Sequence, residues 1–292
     1  MEFALFKTLW GHTASVAQGA QLARAAGFRG IEAPLPAAVG EREAFARALT
    51  DSRLEWIAEI CTAGSYVPER SASPQMHLED LERQILAARP LAPRFFNVMG
   101  GCDAWALDVQ LDFFARAEAL AQRLDVTCSF ETHRGRSFFN PWITREVLRA
   151  LPQLRITCDF SHWVVVCERL MDSEWDVVTE VAERAHHVHG RVGYEQGPQV
   201  PHPAAPEYAE ALASHERCWE AIWESQRRRG YALSTMTPEF GPDGYLHQLP
   251  FTAAPVADLW EINRWIGERE RDRFARWLAA AHESPRAMAC RG

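Results

Sequence analysis

The chain lacks any C-x-x-C pair, and its seven cysteines (Cys61, Cys102, Cys128, Cys158, Cys167, Cys218 and Cys290) are odd in number. That usage points to reduced thiols rather than a disulfide framework, and Cys61, Cys128 and Cys158 lie within apolar runs. No apolar run approaches the ~18 residues needed to span a bilayer. The first residues, MEFALFKTLWGH, lack the basic start, long apolar stretch and small-residue cleavage site of a secretion signal, so a soluble, cytoplasmic protein is expected. Positive charge is short: 31 Lys and Arg face 39 Asp and Glu, a net charge of −8 that opposes a phosphate backbone as partner. No Gly-x-Gly-x-x-Gly turn follows the first strand-like segment, which counts against a dinucleotide-binding fold.

What is present is alternation. Strand-like segments at 3–9, 30–33, 55–61 and 94–99 are followed by four more at 127–130, 155–158, 185–188 and 233–236. Between and after them, helical spacing or helix-ending residues mark 15–26, 41–50, 77–88, 106–124, 144–151, 173–184, 207–229 and 255–268. Eight βα repeats without a linker predict the α/β class: a parallel sheet closed into one (β/α)8 TIM barrel spanning residues 1–292. An additional C-terminal helix is expected over 271–281. The segments 62–76, 131–142 and 190–206 exceed the ~2–6 residues usual in such units, and all follow strands, so they would rim one barrel face.

Each of the last four strands leads to a metal-capable residue: Glu131, Asp159, His189 and, through Thr237-Pro238, Glu239. Separations of 28, 30 and 50 residues suit successive βα units, the last with a long loop. Parallel strands in a barrel bring their C-terminal ends together, which would gather all four side chains in one site. Three carboxylates buried together repel one another unless a divalent cation offsets their charge. One divalent ion is therefore expected, and the oxygen-rich set with one imidazole suits Mn²⁺, Co²⁺, Zn²⁺ or Mg²⁺. Alternation along the strand turns His187 to the same side as His189, so spacing alone leaves either as the ligand.

The strings FETH, CDFSHW, HHVHG and TPEFG resemble the metal-site motifs of the xylose-isomerase-like TIM-barrel family, which includes ketose 3-epimerases, hydroxypyruvate isomerase, inosose dehydratase and, more distantly, endonuclease IV. The resemblance implies one metal, Mn²⁺ foremost, on Glu131, Asp159, His189 and Glu239, with His187 lining the barrel below. It implies that Glu131 and Glu239 also act as acid and base, and that His162 touches the substrate. The expected reaction is isomerisation or epimerisation of a polyhydroxylated carbonyl compound, a sugar or sugar-derived acid. A proton leaves the carbon beside the carbonyl, giving an enediolate, and is then returned. Family analogy also implies a homodimer meeting through the C-terminal helix and exposed loops.

Other residues fall near the expected mouth. Glu32, ending the second strand, is placed to bind a distal hydroxyl or to pair with an Arg. His133, Arg134 and Arg136 directly follow Glu131, and Arg191 follows His189; their guanidinium groups are expected either to grip an anionic substrate or to lie solvated. Trp105, Trp142, Trp163 and Phe138 wall the pocket or simply pack. Position 195 is Glu195 where ketose epimerases often carry Arg, and the loop 193–202 departs from their pattern, which sets the chain apart from simple ketose epimerases. A lyase or dehydratase is the main alternative, with His162, His133 or Tyr194 as acid for a leaving hydroxyl. An endonuclease IV-like phosphodiesterase is disfavoured: Glu59-Ile60-Cys61 and Asn97-Val98-Met99-Gly100 carry no histidine, and Val200-Pro201-His202 lacks an Asp. The full ligand set opposes a non-catalytic accessory barrel. A small molecule is the expected partner, with neither nucleic acid nor membrane.

Overall fold

β1 (Glu2–Thr8) pairs with both β2 (Gly30–Pro34) and β8 (Leu233–Thr237), so the sheet closes on itself. In the computed structural model, which describes residues 1–242 and 244–289, the intervening strands follow in chain order and all are parallel. They are β3 (Glu55–Cys61), β4 (Phe96–Met99), β5 (Cys128–Glu131), β6 (Ile156–Cys158) and β7 (Ala185–His189). The covering helices are α1 (Val16–Ala25), α2 (Val39–Ser52), α3 (Pro74–Ala88), α4 (Leu107–Arg123) and α5 (Pro141–Ala150), then α6 (Phe160–Cys167), α7 (Trp175–Ala182), α8 (Ala209–Arg228) and α9 (Leu259–Ala289). This is the (β/α)8 barrel of the α/β class that the alternation predicts.

Polar residues set where α1, α3, α5 and α6 begin, while α2, α4, α7 and α8 start without a side-chain cap. Ser15 caps α1 in a capping box with Gln18. Ser73 caps α3 ahead of Pro74, and Asn140 caps α5 ahead of Pro141. Both helices therefore start three residues earlier than their apolar spacing indicates. Short α6 was not expected at all; Asp159 begins it by accepting from the Ser161 N–H at 2.9 Å. The stretches 255–268 and 271–281, expected as two helices, lie within a single span from residue 255 onward whose helical part is α9. Gly267 does not break it, because α9 lies so close to the barrel there that a Cβ would stand 3.1 Å from Phe28 and Pro238.

Between strands and helices lies the main core, including Phe45, Trp56, Phe113, Phe114, Trp163, Trp219 and Trp223. The described cysteines are all free thiols, while Cys290 falls outside the described residues. Among the described residues no helix is long and apolar enough to cross a membrane.

Candidate metal centre and active site

Inward-facing side chains of the barrel form tiers. Ala4, Phe6, Ile57 and Phe95 make an apolar plug toward the N-terminal ends of the strands. His187 lies above it, its ring edge-on to those of Phe6 and Phe95. His187 Nδ1 is 2.8 Å from Thr235 Oγ1, and its Nε2 lies 3.1 Å from Thr237 Oγ1 and 3.2 Å from Glu32. Thr237 also donates its hydroxyl to Glu32.

Over this tier the four strand-end residues meet. Donor atoms of Glu131, Asp159, His189 and Glu239 all lie within 4.8 Å of one another, and all four residues are buried. His189 Nδ1 stands 2.9 Å from Glu239 Oε2 and 3.6 Å from Glu131 Oε1, yet it makes no hydrogen bond. From below, Glu32 Oε1 accepts from His189 Nε2 at 3.0 Å. A carboxylate holding Nε2 leaves the Nδ1 lone pair facing the other carboxylates, the arrangement in which a second carboxylate orients a ligating imidazole toward an ion.

Charge leads to the same place. Even if His189 takes a second proton at Nδ1 in the absence of an ion, four carboxylates (Glu32, Glu131, Asp159 and Glu239) against two cations (Arg191 and that His189) leave an excess of two negative charges. Burial alone would lower the His189 pKa; Glu239, Glu32 and Glu131 outweigh it and raise it well above the ordinary imidazole value. The donor set and the orphaned nitrogen fit a divalent cation.

Two other groups have ligand spacing, and both are already occupied. In Glu32–His187–His189, the Glu32 oxygens and both His187 nitrogens are hydrogen-bonded within the tier. In Glu131–His133–His162, His162 Nε2 accepts from Arg191 at 2.7 Å, which leaves the imidazole proton on Nδ1.

Several sequence expectations need correction at this level. Glu32 does not reach a substrate hydroxyl or an Arg. It is 1% exposed and its oxygens are taken by His187, His189 and Thr237. Burial disfavours its ionised form, but His189 and His187 prevail and hold the carboxyl well below the usual range. Arg136 is fully buried and donates to the carbonyls of Thr62 at 2.7 Å, Tyr66 at 3.1 Å, Gly101 at 3.3 Å and Ser65. Its guanidinium ties down the loop after β3 and leaves nothing for a substrate anion.

Arg191 pairs with Asp159, donates to Ser161 Oγ at 3.0 Å and lies over the Tyr245 ring at 4.8 Å. Arg134 is only partly buried, and it too lies over Tyr245, at 5.1 Å. His162 is wholly buried beside His133, with ring centroids 4.0 Å apart, and it is His133 that lines the cavity. Burial, then the charge of Arg191, lowers the His133 pKa to about 3, so this imidazole is neutral. Trp163 donates to the Phe138 carbonyl at 3.0 Å within the core, and Trp105 packs on His77 and Phe113. Trp142 lies under Arg169. The aromatic cavity wall comes instead from Trp10, Phe45, Tyr66 and Tyr245.

Two inward residues were missed. Asn97 donates to Glu131 Oε2 at 2.8 Å and fixes that carboxylate. Glu59, its register partner on the neighbouring strand, opens onto the cavity. Burial, then the carboxylates of Glu239, Glu32 and Glu131, push the Glu59 carboxyl well above the usual range. The available signal was strand alternation, which turns 57 and 59 inward together. The cavity over this floor measures about 1000 Å³ and includes Glu131 and Glu239 in its lining.

Among known proteins, a family profile described as xylose isomerase-like TIM barrel matches residues 20–195. No curated protein matches the chain by sequence. Among solved structures, 3-keto-D-glucoside 4-epimerase from E. coli superposes with a TM-score of 0.61 at 12% identity, over 93% of this chain and 100% of that one. A xylose isomerase-like TIM barrel protein from Mycobacterium smegmatis in complex with magnesium gives 0.59 at 12% identity, over 95% and 97%. Endonuclease IV from Thermus thermophilus gives 0.56 at 15% identity, over 96% and 100%. At such identities the likeness is one of fold, and it spans proteins of different activity. With more than half of its length matched by the family profile, the chain belongs to the xylose isomerase-like TIM-barrel family.

Proposed function

We propose that the protein is a divalent-metal-dependent isomerase or epimerase of a polyhydroxylated carbonyl compound, moving a proton at the carbon beside the carbonyl. One observation carries this reading. Of the four gathered residues, Glu131 and Glu239 line the cavity, whereas Asp159 and His189 are fully buried and do not. Two carboxylates are thus in reach of a bound molecule while the other two groups serve only the floor. Glu131, Asp159, His189 and Glu239 would hold the ion, which supplies Lewis-acid polarisation of the substrate carbonyl when bound. Mn²⁺ is the first choice, with Co²⁺, Zn²⁺ and Mg²⁺ compatible with the same donors.

The chain's own groups then divide the work. Glu131, anchored by Asn97 at Oε2, keeps Oε1 for proton transfer. Glu239 enters from the end of β8, and the second carboxylate returns the proton the first removes. Neutral His133, whose Nδ1–H donates to the Arg134 carbonyl at 2.6 Å, presents its Nε2 lone pair to accept from a substrate hydroxyl without adding charge. A lyase outcome is the second reading, favoured by Glu59, a third carboxyl open to the cavity and placed to protonate a leaving hydroxyl.

The test is incubation of Mn²⁺-loaded protein with a panel of ketoses and keto-sugars in D₂O. Deuterium should appear at the carbon beside the carbonyl and should vanish when the metal is stripped. Conversion without any deuterium uptake would contradict the reading, and loss of water from the product would select the lyase.

A further inference from the structure

The cavity is larger and less polar than one sugar ring requires. At about 1000 Å³ it lies at the upper end of the roughly 300–1,000 Å³ range of pockets that bury drug-sized ligands. Its lining divides by chemistry. The carboxyl groups of Glu131, Glu239 and Glu59 form one part, and among the described residues the Glu59 side chain has no hydrogen bond or ion pair. Another part is apolar and includes Trp10, Val16, Pro34, Pro36 and Met76. Trp10 is fixed there edge-on to Tyr245, with centroids 4.9 Å apart, and against Gly241, where any Cβ would collide with the indole.

Charge around the cavity is one-sided. Its lining carries Glu69, Asp80, Glu131 and Glu239, besides the carboxyl of Glu59, against Arg83 and Arg191. Arg83 is paired with Asp80, and Arg191 with Asp159. Arg136 is committed to backbone carbonyls and Arg134 is not part of the lining. Apart from the ion of the proposed centre, the lining offers no free cation to pair with a carboxylate or phosphate on the ligand, whose burial here would cost desolvation.

We infer that the substrate is an uncharged molecule in two parts: a hydroxylated carbonyl head over the acidic groups, with the Glu59 carboxyl hydrogen-bonding to its hydroxyls, joined to a ring-sized apolar group lying against Trp10, Pro36 and Met76. The class is a glycoside-like conjugate bearing an aryl or alicyclic group, not a free ketose or a sugar phosphate. The position of the head rests on the proposed function; the apolar part does not.

Binding of three probes to the full chain, with and without Mn²⁺, tests this by titration calorimetry: phenyl β-D-glucoside, methyl β-D-glucoside and glucose 6-phosphate. Phenyl glucoside should bind at least about tenfold more tightly than methyl glucoside, equivalent to roughly 1.4 kcal/mol, with the phosphate weakest. Trp10→Ala should erase the phenyl preference. Met76→Glu, a change at a half-exposed position that leaves the core intact, should reduce it. Glu59→Gln should weaken both glucosides alike and preserve their ratio.

Equal affinity for the two glucosides, tighter binding of the phosphate, no binding of any probe, or a preference that survives Trp10→Ala would each overturn the inference. A phenyl preference in metal-free protein, with no deuterium exchange on any substrate, would sustain it while the proposed function fails. Exchange on free ketoses without a phenyl preference would do the reverse.

Discussion

Glu131→Gln and Glu239→Gln should each lower turnover by about 10²–10⁴-fold, while the ion-free variants melt no lower than the parent. The loss in rate follows from removing a proton-transfer group that is also an ion ligand. The expected stability follows from the charge excess: four carboxylates gathered against two cations favour the loss of one negative charge. Gln keeps the volume and can still accept from Asn97, so packing changes little. The two readouts together separate this role from a structural one, because a buried residue of the frame would lose stability first. Turnover within tenfold of the parent in both variants would remove the acid–base assignment. The check is steady-state kinetics on the Mn²⁺-loaded proteins beside calorimetric melting of the stripped ones.

Arg136→Ala should cost about 3 kcal/mol of stability, because it strands the buried carbonyls of Thr62 and Gly101 and takes a charged donor from those of the exposed Ser65 and Tyr66. The residues freed are Thr62, Ser65, Tyr66 and Gly101, so the loop after β3 and the turn after β4 would loosen together. Arg136→Lys should recover only part of the loss, since an ammonium cannot span the acceptors that the planar guanidinium bridges. Urea unfolding measures it directly. A change below about 1 kcal/mol, with a raised KM for an anionic substrate instead, would restore the role that its position next to Glu131 first indicated.

That contrast shows what was legible in the chain. The barrel was, because eight alternations of period and the turn residues between them are local signals. Convergence of Glu131, Asp159, His189 and Glu239 followed from strand-end placement once the sheet closed in chain order. Partners set by distant pairing were not legible. Glu32 meets His187 and His189 across the barrel, and nothing in the residues near Glu32 marks that. Arg134 and Arg136 look equivalent in sequence, yet one is part-exposed on Tyr245 and the other is sealed among carbonyls of a loop about 70 residues earlier. Glu59 and Asn97, weighed in the sequence only for the absence of histidine, were given no role because register alone decides which neighbours they face. Capping residues explain where α1, α3, α5 and α6 begin, and Asp159 combines a cap with a place in the candidate metal centre.

The proposed function depends on an ion held between Glu131, Asp159, His189 and Glu239. The most direct measurement is elemental analysis of protein loaded with Mn²⁺ and passed into metal-free buffer, alongside the His189→Ala variant. About one ion per chain in the parent, lost in the variant, is the result this account expects. A loaded parent that retains no ion, or a variant that retains as much as the parent, would contradict it.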